Sequence, residues 1–214
     1  MHKILLSAAA LTFVLFASYG GYVLWANSAE TVPYVVTQKW GEKMERRTYP
    51  ALVVAEVQMN KTFKESGNEA FRLLFDYISG ANTGTTEIAM TAPVVQSERS
   101  TEIAMTSPVL QSQPNNGTWA VAFILPSTYT LDTAPQPTNP RVSLRQTEPH
   151  ETAVIRFSGN WDEQHFEKMA AKLAARLDAQ GVTYKPTPII ARYNPPFTPP
   201  FLRRNEVMFE LIKN

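Results

Sequence analysis

Cysteine is missing altogether from the 214 residues, which excludes a disulfide framework, a thiolate metal site, an iron–sulfur cluster and a cysteine nucleophile. An excess of either charge is missing too, since 20 Lys+Arg stand against 19 Asp+Glu. There is no broad basic field for nucleic-acid phosphates and no acidic tail, so nucleic acid is not an expected partner. Histidine is scarce: His2 precedes an apolar run, His150 lies in a turn-like EPHE, and His165 stands beside Phe166 on a helix. With no HExxH and no histidine pair at ligand spacing, a protein-built metal site is not expected. GxSxG, GxGxxG and GxxxxGK are also absent. Neither a nucleophile elbow nor a nucleotide cradle is legible, and no catalytic residue is assigned.

What the chain does have begins at once. Residues Ile4 to Ala26 are 23 consecutive uncharged positions, enough to cross a bilayer core of about 30 Å as a helix. A secretory h-region is shorter, at about 7 to 15 residues. The length therefore favours an uncleaved signal anchor, while Ala26-Asn27-Ser28 keeps a cleaved signal open. Lys3 and the amino terminus place that end in the cytoplasm and send the rest out. The expected organisation is a targeting segment at 1–29 and one exported domain at 30–214, tethered on the periplasmic or extracytoplasmic side. Secretion to the periplasm after cleavage is the alternative. Lys3 is the only charged side chain in the segment, so the domain balances 19 bases against 19 acids. Its size lets it bury about 70% of its unfolded surface without staples.

Within the domain, Thr31 to Gln38 and Ala51 to Met59 read as strands, with Met44 to Pro50 a short strand between them. Ser66 to Ser79 reads as a helix. Its polar stripe of Asn68, Glu69, Arg72, Asp76 and Ser79 is narrow, and apolar residues fill the remainder. Either protein covers both flanks, or an edge bearing Phe71 and Phe75 faces an apolar cleft. A repeat follows: TEIAMTAPVVQS at Thr86 to Ser97 returns as TEIAMTSPVLQS at Thr101 to Ser112 with two of twelve positions changed. The spacing is too short for a solenoid, and Pro93 and Pro108 are expected at sheet edges or bulges. Asn116-Gly117 signals a hairpin into the strand Thr118 to Leu125. Arg141 to Gln146 and Thr152 to Phe157 are further strands. A second helix is expected from a cap at Asn160, with Glu163 completing a capping box and Gly181 ending it. A proline-rich stretch from Lys185 to Pro200 leads to a last strand within Arg203 to Ile212. Strands and helices without regular βαβ alternation give α+β with an antiparallel sheet.

Aromatic and methionine side chains are plentiful, and Met90 and Met105 recur in the same setting. Methionine adapts to irregular flat ligands, although such residues also simply build cores.

The segments EIAMTAPV (Glu87 to Val94), EIAMTSPV (Glu102 to Val109), YISGAN (Tyr77 to Asn82) and ARYNPPFTPPFLRRNEVMFEL (Ala191 to Leu211) occur in this order. Together they resemble the SOUL haem-binding protein family from about Thr31 to the end. The resemblance implies a distorted antiparallel β-barrel flanked by two α-helices, akin to the effector-binding fold of bacterial regulators. It also implies haem or another tetrapyrrole in an open groove beside the first helix. With no acid–base pair legible, a non-enzymatic carrier or buffer is expected, as a monomer. Some members carry a histidine before the tyrosine of the second strand as an axial-ligand candidate, and this chain has Thr48 there. Phe71 and Phe75 are then the expected contacts to the macrocycle face and Arg72 the propionate partner. His150 and His165 are the exported histidines for any axial ligation. Arg203 and Arg204 match the family motif and are expected to fix the final strand through carboxylates such as Glu206. The alternative function is an effector-sensing module for another flat hydrophobic ligand or a protein partner.

Overall fold

Thr62 starts the first helix. Its hydroxyl accepts from the Glu65 backbone N–H at 3.4 Å, and the Glu65 carboxylate accepts from the Thr62 N–H at 3.4 Å, so two otherwise orphaned donors are satisfied. The helix, α1, spans Phe63–Ile78, three residues earlier than its apolar run suggests, because this capping box reaches ahead of that run. Gly80, at φ +116°, takes the left-handed turn just past its end. The second helix, α2, spans Glu163–Ala179. Its cap is Asp162, whose carboxylate accepts from His165 N–H at 2.9 Å. Asn160 is therefore not the cap and Glu163 is the first helical residue rather than the third.

The computed structural model describes residues 30–84, 100–115 and 117–212. The apolar segment at 4–26 and the first copy of the repeat lie outside them. Among the described residues no helix is long and apolar enough to cross a membrane. The strands are β1 (Glu30–Thr31), β2 (Val35–Lys39), β3 (Met44–Tyr49), β4 (Val53–Met59), β5 (Asn82–Thr83), β6 (Thr106–Ser107) and β7 (Val109–Asn115). They continue with β8 (Thr118–Ile124), β9 (Gln136–Pro137), β10 (Ser143–Gln146), β11 (His150–Phe157), β12 (Ile189–Arg192) and β13 (Asn205–Glu210). Nine of them make one sheet in the order β10-β4-β8-β7-β12-β13-β11-β3-β2, every neighbouring pair antiparallel.

That order contains the same unit twice. The run β4-α1-β7-β8 places its strands as β4-β8-β7, and the run β11-α2-β12-β13 places its strands as β11-β13-β12. The strands that directly follow the helices, β7 and β12, form the facing edges of the two units and pair at the junction with Gln111 opposite Ile190. The outer strands are exchanged: β3 precedes the first unit but pairs with β11, and β10 precedes the second but pairs with β4. Alpha1 packs on β4 and β8 over a core that includes Leu74, Tyr77, Val57, Val121 and Phe123. Alpha2 packs on β11 and β13 over Phe166, Leu173, Leu177, Val207 and Phe209.

The sheet curls, since Tyr49 of β3 shares a cluster with Val54, Ala122 and Ile124 from the other half. It is not closed. A barrel needs a ladder between its two outer strands, and β10 and β2 pair only with β4 and β3. Beta10 is four residues long, and β2 slips register between Val36 and Gln38, two devices that stop an edge from pairing further. The expected barrel is corrected to an open, curled sheet with two helices.

Candidate functional site

The second copy of the repeat is wired into the end of α1. Asn82 donates to Tyr77 O at 2.7 Å and Thr101 O at 2.8 Å, and its own carbonyl accepts from Thr101 N–H at 2.9 Å. Ile103 N–H then donates to Ile78 O at 2.8 Å. The YISGAN and EIAMTSPV motifs are thus one joint, which buries Ile103 and sets Met105 against the core beneath α1. Pro108 follows a cis bond from Ser107 and stands between β6 and β7, outside the central ladder.

The exposed side of α1 carries the aromatic pair. Phe71 and Phe75 are one turn apart and stack with centroids 6.0 Å apart and planes 11° from parallel. Phe71 also meets the ring of Phe123 edge-on at 5.3 Å, which anchors the pair to β8. Phe75 is left 47% exposed. Arg72, between them in sequence, is exposed and makes no ion pair among the described residues, whereas Glu69 on the same helix is held by Lys61 at 2.5 Å and Arg141 at 2.9 Å. Phe71 and Phe75 are therefore together as an open flat apolar face, and Arg72 is an exposed cation on the same helix. Farther round α1, Leu73, Asp76 and Tyr77 border a cleft of about 400 Å³ with Ala81, Thr138, Asn139 and Pro140. Tyr77 donates to Pro135 O at 2.8 Å. Burial first, then the neighbouring Tyr129, holds its hydroxyl protonated well above the usual tyrosine range.

Neither histidine joins this pair. His150 opens β11 in the other unit, stacked on Tyr49 at 5.5 Å with Nδ1 2.8 Å from Glu148 O. His165 lies on the first turn of α2 at 4.9 Å from the ring of Phe157. Thr48 is on β3 opposite Glu151. Phe71 and Phe75 offer a flat apolar surface of the kind a tetrapyrrole face would cover and Arg72 a cation for one carboxylate, and no histidine among the described residues is packed against the pair.

A second polar centre was legible only in part. Glu206 on β13 is fully buried and accepts five bonds. Arg47 Nη1 and Nη2 donate at 2.6 and 3.0 Å, Arg204 Nε and Nη2 at 2.9 and 2.7 Å, and Tyr193 O–H at 2.7 Å. Burial alone would raise the carboxyl pKa, but the two guanidiniums and the tyrosine hold it below the ordinary glutamate value. Arg47 stacks over Tyr34 at 4.1 Å and Arg204 over Tyr193 at 3.9 Å. Arg204 fixes the final strand as expected. Arg203 does not: it donates to Thr198 O and Pro196 O at 2.7 and 2.8 Å and lies over Trp161 at 4.4 Å. Arg47 was missed because its partner is 159 positions away in sequence.

Comparison with known proteins bears on the same elements. A family model described as SOUL heme-binding protein matches residues 29–210. No curated protein sequence matches the chain. Among solved structures, the EcmrR C-terminal domain is similar with a TM-score of 0.54 at 9% identity, covering 80% of this chain and 98% of that one. A hydrolase from Listeria innocua is similar with a TM-score of 0.50 at 13% identity, covering 80% and 92%. At such identities these two likenesses concern the fold alone.

Proposed function

The chain belongs to the SOUL haem-binding protein family, and from that premise we propose that it is a non-enzymatic binder of haem or a related tetrapyrrole, a carrier or buffer exported and held at the membrane by residues 4–26. The observation that carries the reading is the stacked Phe71–Phe75 pair, packed against Phe123 through Phe71 and half exposed at Phe75. Covering an exposed aromatic pair with a flat macrocycle removes apolar area from water at about 25 cal/mol per Å², and Arg72 offers a charge-assisted bond to a propionate. Haem, when bound, would bring its iron. This chain's residues supply the apolar platform and the rim charge, so recognition rests on the macrocycle.

The test is titration of the full chain in detergent with hemin, against empty micelles. A saturable Soret shift that weakens on Phe75→Ala supports the proposal, and a spectrum identical to the micelle control removes it. The fold shared with the EcmrR C-terminal domain favours a second reading, a module for some other flat hydrophobic ligand. In that case a lipophilic ligand raises the melting temperature and hemin does not.

A further inference from the structure

At the junction of the two βαββ units a cation is packed with no anion among the described residues. Arg192 ends β12, and its guanidinium lies 5.6 Å from the ring centres of both Phe63, which opens α1, and Trp161, which precedes α2. Among the described residues no carboxylate bonds it, and its Nε has no hydrogen-bond partner. Gln111, opposite the neighbouring Ile190 on β7, is wholly buried, with its Nε2 spent on Phe63 O at 3.0 Å and its Oε1 unpartnered. Both groups converge on bare helix backbone. A Cβ on Gly67 would sit 3.2 Å from Arg192 Nη2 and 3.2 Å from Gln111 Oε1.

Among the described residues the most buried arginine, Arg47, is compensated by Glu206, which it shares with the partly buried Arg204. An unpaired buried guanidinium is costly, and two aromatic faces offset only part of that cost. The environment shows the deficit, since burial pulls the Arg192 pKa down to about 10. Although the head group is packed deep, the residue retains some solvent access. A planar guanidinium between aromatic walls matches a carboxylate bidentately, and an aromatic body on that carboxylate matches the walls.

We propose that Arg192, seated between Phe63 and Trp161 over Gln111 and Gly67, is a binding site for an aromatic or similarly flat monocarboxylate, taken at the junction of the two units. This goes beyond the tetrapyrrole reading and stands without it, because its residues are not Phe71, Arg72 or Phe75.

The test uses the full chain in detergent and two probes of one shape, 2-naphthoate and the uncharged 2-naphthamide, by calorimetric titration against empty micelles. Naphthoate is expected to bind and naphthamide to bind at least about tenfold more weakly. Arg192→Gln should abolish that preference while leaving naphthamide unchanged, and Arg192→Lys should keep part of it. Gly67→Ala, whose methyl crowds both polar groups while suiting a helix, should also erase it and serves if Arg192→Gln does not fold. No naphthoate binding at about 10 mM, equal binding of the two probes, or an undiminished preference in Arg192→Gln or Gly67→Ala overturns the proposal. Phe75→Ala should leave naphthoate binding unchanged, so loss of hemin binding and loss of this site are read separately.

Discussion

Replacing Glu206 by glutamine keeps the shape of the side chain and removes the charge on which five donors converge. The amide that takes one oxygen's place brings two N–H groups toward guanidinium protons at distances now between 2.6 and 3.0 Å. Arg47 is 1% exposed and cannot turn to water, whereas Arg204 keeps some access. Breaking a buried pair by neutralising one member costs about 3 to 5 kcal/mol, a large part of the 5 to 15 kcal/mol, roughly, that holds a domain together. At about 2 to 4 °C per kcal/mol for a domain of this size, Glu206→Gln should lower the midpoint of thermal unfolding by about 6 to 20 °C at pH 7, followed by far-ultraviolet circular dichroism on the full chain. The pH dependence has a definite sign. A carboxyl whose folded pKa is depressed stabilises fully above its unfolded value near 4.3, and that stability is lost as pH falls through the lower folded value. The gap between wild type and Glu206→Gln should therefore be widest near neutrality and narrow below about pH 4. The double variant Arg47→Met with Glu206→Leu should recover part of the loss, because it removes the guanidinium that cannot turn to water, while Arg204 and Glu45 keep solvent access. A midpoint change under about 2 °C for Glu206→Gln, or a gap that grows in acid, would refute the assignment of this network as a structural clasp.

Phe75→Ala removes a ring that is half exposed, so it should cost under about 1 kcal/mol of stability yet weaken tetrapyrrole binding by about tenfold. Leu74→Ala, next to it in the core, should cost about 3 kcal/mol, and the two melting curves with matched hemin titrations separate site from core. Thr62→Ala takes away the cap of α1 and should cost about 1 kcal/mol, read as a fall of a few degrees in the melting midpoint. His150→Ala and His165→Ala should leave the position of any hemin Soret band unchanged, since both rings are packed away from the Phe71–Phe75 pair. A band that moves in either variant would place the iron elsewhere.

Local patterning carried much of the fold. The alternation in Val53, Ala55, Val57 and Met59 gave β4, and all four point into one core. The excess apolar width of α1 resolves both ways: Leu74, Tyr77 and Ile78 are core, and Phe75 is the open edge. Boundaries moved where capping chemistry outweighed hydrophobic period, as at Thr62 and Asp162. Strand exchange between the units was not legible, because β3 and β10 look like ordinary neighbours of β4 and β11 and only tertiary pairing sends each to the other half. Nor was Arg192 legible. It sits in the quoted ARYNPP motif, but its significance lies in the lack of a carboxylate beside it among the described residues, which leaves no mark in sequence. The contrast between Arg203 and Arg204 is of the same kind: adjacent identical residues on an extended chain point to opposite sides, one to Trp161 and the other to Glu206.

Recognition of a flat macrocycle by its face is put to the test by titrating hemin and metal-free protoporphyrin IX in parallel into the full chain and Phe75→Ala. Saturable binding of both to the wild type with affinities within about threefold of each other, and a matching loss of both in the variant, is the predicted result. Binding of hemin alone, or equal binding by wild type and variant, would contradict it.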